Sequence, residues 1–254
     1  MGKGEHYLIV GNWKMHLNVH ESSLLLNRLK GKVKADDNVT VVLCPPFVSL
    51  AALTKEVDTA QFKLGVQNIH DEDEGAFTGE VSAAMVHGLA EYAIVGHSER
   101  RRYFHEDDKF IARKLAAAVR NDIIPILCVG ETLHERDAGI SVKVVVDQLE
   151  ADLREVSAED VSCMAIAYEP VWSIGTGRFA KPDEVQPVTD AIRNTVEELF
   201  GEAAGMSMKL LYGGSVEPEN AKTFLKIDGI NGLLVGHESI NYEKFAAIVK
   251  AAQK

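Results

Sequence analysis

Lys14, His97 and Glu169 each stand just beyond a short apolar run, and together they offer an ammonium, an imidazole and a carboxylate. Glu169 has the least ordinary setting. It follows CMAIAY (163–168), a run short and apolar enough to be a buried strand. Pro170 cannot continue a ladder, so the strand should end at the glutamate. Trp172, Ile174, Gly175 and Gly177 come next and read as a cover. A solvated surface acid needs no such setting. His97 opens HSERR, and the helix-compatible residues behind it place the ring just before a helix start. Positive partial charge there disfavours imidazolium, which makes the neutral ring the expected donor.

The elements that must position these residues alternate along the chain. The apolar runs are 7–11, 39–44, 62–67, 92–96, 123–130, 163–168, 208–214 and 232–236. Between them lie helical patterns such as DEVQPVTDAIRNTVEELF, where Val185, Val188, Ile192, Val196 and Leu199 recur at spacings of three and four. Pro182 and Asp183 suit the first turn of that helix. Unbroken strand–helix alternation requires parallel strands, because each return to the same end of the sheet needs a crossover. Eight units in 254 residues, without a linker, fit a single-domain (β/α)8 barrel spanning 1–254. In such barrels the site lies at the C-terminal strand ends. The polar residues there are Asn12, Lys14, Gln67, His97, Glu99 and Glu169, followed by Gly213, Gly214, Ser215 and Gly236.

A formal charge of −11 argues against nucleic acid or an anionic membrane as partner. An anionic small molecule is compatible only with a local cation, which Lys14 would supply. MGKGEHYLIVGN has no long apolar stretch, and no later run reaches membrane-span length. Cys44, Cys128 and Cys163 are odd in number and set in apolar runs, so they are expected to be reduced core thiols of a cytoplasmic protein.

Six motifs together make a specific pattern: NWKM (12–15), AFTGEVSAAM (76–85), VGHSERR (95–101), CVGET (128–132), YEPVWSIGTG (168–177) and YGGSV (212–216). In this order they closely resemble the triosephosphate isomerase family over nearly the whole chain. The resemblance implies interconversion of dihydroxyacetone phosphate and glyceraldehyde 3-phosphate, without cofactor or metal. It assigns the base to Glu169, the electrophile to His97 and the cation to Lys14. It assigns substrate contacts to Asn12, Trp13, Lys14, Gly175, Ser215, Gly236 and His237, and a closing lid to 170–180, with Ile174 facing Leu234. Glu99 matches an acid near the lysine, and structural pairing is its expected role. The chemistry suits these residue types, since a weak carbon acid needs a poised base and its enediolate needs stabilisation.

Two positions depart from the family pattern. A glycine is usual where His237 stands, beside Gly236 and followed by Glu238. If that backbone needs positive φ, the histidine is strained. An aspartate is usual at Asn231, so an ion pair with Arg193 is expected to become a hydrogen bond to a neutral partner. The resemblance also implies a homodimer through the 67–80 loop, with Thr78 approaching the neighbour's site and Met15 beneath the partner loop. An aldolase-like barrel and a non-catalytic scaffold are the competing readings. The first wants a Schiff-base lysine inside the barrel, and Lys14 is the only obvious mouth lysine. Intact Glu169, His97 and Lys14 argue against the second.

Overall fold

The computed structural model describes residues 6–175 and 178–253. Gly177, expected to loosen the lid, lies outside the described residues, as do Met1–Glu5, Thr176 and Lys254. Eight parallel strands close into a barrel: β1 (Tyr7–Asn12), β2 (Val39–Cys44), β3 (Lys63–Val66), β4 (Tyr92–Val95), β5 (Ile124–Val129), β6 (Ala165–Tyr168), β7 (Lys209–Tyr212) and β8 (Gly232–Val235). Each pairs with the next, and β8 returns to β1 with Ile9 opposite Leu233.

The strands read as continuous apolar runs because both faces are buried. Alternation still sorts them. Leu8, Val10, Val42, Ile94, Ile126, Leu211 and Leu234 fill the barrel, with Cys44 and Cys128 among them. Ile9, Val41, Leu43, Leu127 and Leu233 face outward against the helices. There they meet Val185, Val188, Ile192 and Val196, the stripe of the helix Pro182–Phe200, whose first turn holds Pro182 as expected. Among the described residues no helix is long and apolar enough to cross a membrane.

Two sequence expectations change. Cys163 is exposed and closes the helix Ala158–Cys163, so β6 begins at Ala165 and the thiol is not a core group. A capping box between Ser157 and Asp160 starts that helix and carries it up to the strand. His237 is the other. Positive φ among the described non-glycine residues falls on Lys14, Leu17, His105 and Asp122, so His237 carries no such strain. At the second departure the guanidinium of Arg193 donates to Asn231 Oδ1 at 3.3 Å and to the Gly229 carbonyl at 2.9 Å, the neutral pairing expected.

Candidate active site

The loops after β1, β4, β6, β7 and β8 enclose one cavity of about 320 Å³. Asn12, Lys14, His97, Glu169, Gly175, Ser215, Gly236 and His237 all line it. Glu169 is set by its backbone. Its N–H donates to the Val129 carbonyl at 2.8 Å, one bond past the end of β6. Gly130 makes that approach possible, since a Cβ there would stand 1.7 Å from the Glu169 carbonyl oxygen.

The Glu169 side chain is 1 % exposed. Oε2 accepts from the Ser98 N–H at 2.9 Å. Oε1 lies 3.0 Å from His97 Nε2, yet without an aligned donor among the described residues. Burial pushes the carboxyl up, but His97, the Ser98 N–H and Lys14 outweigh it and hold Glu169 below the usual carboxylate range.

His97 sits at the N-cap of the helix Ser98–Tyr103, where Nδ1 accepts from the Glu99 N–H at 3.2 Å. A nitrogen that accepts carries no proton, so the ring is neutral and its N–H is at Nε2, facing Glu169. Glu99 Oε2 is farther from Nδ1, at 3.7 Å, and does not displace the backbone donor.

Lys14 adopts φ 52°, a left-handed conformation that costs a lysine roughly 1–3 kcal/mol. Its N–H donates to Asn12 Oδ1 at 3.1 Å, and Gln67 Nε2 donates to its carbonyl at 2.9 Å. Gln67 also reaches the Cys44 carbonyl at 2.9 Å and so fastens the loop to β2. The ammonium lies 2.5 Å from Glu99 Oε1. Asn12 is two residues away, but Gln67 and Glu99 are remote in sequence, so most of what holds this backbone has no local signature.

A carboxylate, an imidazole and an ammonium thus face one cavity at the end of a parallel barrel. The family model described as Triosephosphate isomerase matches residues 7–252. The protein named triosephosphate isomerase from Clostridium tetani is 44 % identical over 243 residues, covering 95 % of each chain. Its namesake from Carboxydothermus hydrogenoformans is 45 % identical over 245 residues, 96 % of this chain and 98 % of that one. The chain belongs to the triosephosphate isomerase family.

In this triosephosphate isomerase family member the segment after Glu169 has one fixed end. The Trp172 indole donates to Glu131 Oε1 at 2.7 Å, and the Tyr168 hydroxyl donates to Glu131 Oε2 at 3.1 Å. The Val171 N–H donates to the Glu131 carbonyl at 3.1 Å, and the Arg136 guanidinium lies 4.1 Å over the Trp172 ring. Glu131 is the anchor that motif reading leaves unassigned, although its place in CVGET was visible. Farther along, Gly175 has φ 68°, which glycine adopts without penalty. Ile174 and Leu234 both line the cavity, as a lid and its opposing wall would.

Ser215 commits its hydroxyl to the Ser173 carbonyl at 2.6 Å, and its own carbonyl accepts from Asn220 Nδ2 at 3.2 Å. Gly236 lies against the lysine: a Cβ there would be 3.3 Å from Lys14 Cε. Trp13 does not belong to the site. Its side chain is fully buried in the outer core, because one step along the chain from Asn12 turns it away from the mouth.

Proposed function

We propose that Glu169, His97 and Lys14 carry the triosephosphate isomerase activity of this chain, the reaction of glycolysis and gluconeogenesis, in the cytoplasm. The observation that carries the assignment is the buried Glu169 carboxylate 3.0 Å from His97 Nε2. Glu169 takes a proton from one carbon of the triose phosphate and returns one to its neighbour. His97 donates its Nε2–H to the carbonyl oxygen as charge develops there, and Lys14 stabilises that charge in a site shielded from water. Asn12 spends Oδ1 on the Lys14 N–H, so its amide N–H groups are the ones turned to substrate. Both carboxylate oxygens of Glu169 sit against His97 and Ser98, so the side chain must rotate off the Ser98 N–H to reach carbon. The backbone of Gly175, Ser215, Gly236 and His237 holds the phosphate.

A coupled assay with glyceraldehyde 3-phosphate tests this reading, and an inactive, folded protein would overturn it. The same assay tests the lid. With Ile174 and Leu234 both changed to alanine, kcat should fall and more inorganic phosphate should appear per turnover, because a loosened cover lets the enediolate expel its phosphate. An unchanged ratio of phosphate to product would remove the sealing role.

A homodimer through the 67–80 loop is part of the same proposal. Met15 is 95 % exposed, and Val48, Phe77, Met85 and Phe104 are exposed large apolar side chains as well. A groove of about 380 Å³ beside Asn12 and Lys14, lined by Met15, Gln67 and Phe104, would receive the partner's loop with its Thr78. Sedimentation should give about twice the chain mass of 27.8 kDa. A monomer retaining full activity would rule the interface out.

A further inference from the structure

His237 lines the cavity beside Gly236, at a position where the family pattern has glycine, and its backbone has no positive φ. His237 is exposed and is one of the residues lining the cavity, and among the described residues its side chain takes part in no hydrogen bond or ion pair. The charges around it are few. Glu238, on its own turn, lies 2.9 Å from Lys244 of the helix Tyr242–Ala252. Glu217, from the loop after β7, is a second acid lining this end, and it too lies in the field of Lys244. From the β1 loop comes Lys14, already against Glu99 at 2.5 Å. Two carboxylates therefore share one nearby cation at the end where a dianion must sit. The other imidazole in the cavity, His97, accepts the Glu99 N–H and stays neutral. His237 is thus the group at this end that can add positive charge near neutral pH.

Resting on the function proposed above, we propose that protonated His237 is a side-chain contact to the substrate phosphate, so that phosphate-end affinity in this chain is set by pH. Histidine changes charge between about pH 5 and 8. The favourable form is the protonated one, so affinity is gained as pH falls and lost as it rises. Linkage runs both ways: a bound dianion must hold the proton on the ring more tightly.

Sulfate is the suitable probe, because it stays dianionic through this range whereas a phosphate monoester gains a proton near pH 6. The inhibition constant of sulfate against glyceraldehyde 3-phosphate would be measured from about pH 6 to pH 8 for the parent, His237→Gly and His237→Asn. The parent should tighten toward acid by about three- to fivefold more than either variant, the scale of an exposed ion pair. A second reading needs no variant: the ring proton resonances of His237 should titrate at higher pH with sulfate present than without it. Parallel inhibition profiles, or a sulfate-independent titration, would overturn the inference while leaving the catalytic assignment standing. Failure of sulfate to compete at all would also overturn the inference, while turnover of glyceraldehyde 3-phosphate in the same assay would leave the catalytic assignment standing.

Discussion

Lys14→Met should abolish measurable isomerisation while leaving the far-UV circular dichroism spectrum intact. Lys14 lines the cavity beside Gly236, and its ammonium is held 2.5 Å from Glu99. Methionine keeps most of the unbranched length and removes the charge. In a water-excluded site, loss of one charge-stabilising donor costs about 3–4 kcal/mol, or roughly 100- to 1000-fold, and loss of a full cation should exceed that. Core packing gives no reason for a loss of structure, since the lysine side chain is partly exposed at 23 % and meets polar neighbours. Activity within about tenfold of the parent, under roughly 1.4 kcal/mol, would mean that the cation comes from elsewhere.

Glu169→Asp should lower kcat by roughly 100-fold with a much smaller change in KM, because shortening the arm by one methylene withdraws the carboxylate about 1 Å from carbon. The clamp at Gly130 and Val129 prevents the backbone from following it. Equal kcat for the two proteins would remove Glu169 from the base role. The parent's pH profile carries a second check. His97, the Ser98 N–H and Lys14 hold the Glu169 carboxyl low against the opposing effect of burial. A carboxyl lowered on folding stabilises the protein above its unfolded pKa and loses that contribution as pH falls through the folded one. For Glu169 that contribution is lost on the acid side of the ordinary carboxylate range.

Much of this architecture was legible because a buried parallel strand declares itself by its length and its apolar run. Polar residues at strand ends then declare the mouth. Asn12, His97, Glu169, Ser215 and Gly236 were found that way, and the cavity gathers them. Helix-start reasoning placed His97 just before a helix, and the ring sits at the N-cap of Ser98–Tyr103, accepting from the Glu99 N–H. Trp13 and Cys163 were misread for a common reason. Each was taken with its neighbours in the chain, whereas the strand pleat turns Trp13 into the outer core and a capped helix claims Cys163. The positive φ of Lys14 and the tether from Glu131 to Trp172 depend on contacts between distant segments. No local window contains them.

The two thiols inside the barrel have a practical consequence. Cys44 and Cys128 lie fully enclosed by strand side chains, and burial pushes both far from the thiolate form that alkylating reagents attack. Cys163 stands in solvent. A thiol reagent will therefore mark one cysteine promptly and reach the other two only when neighbouring strands part. Lids and surface loops can move without exposing them. The slow labelling of this chain is thus a clock for the opening of the barrel itself, built from residues it already contains.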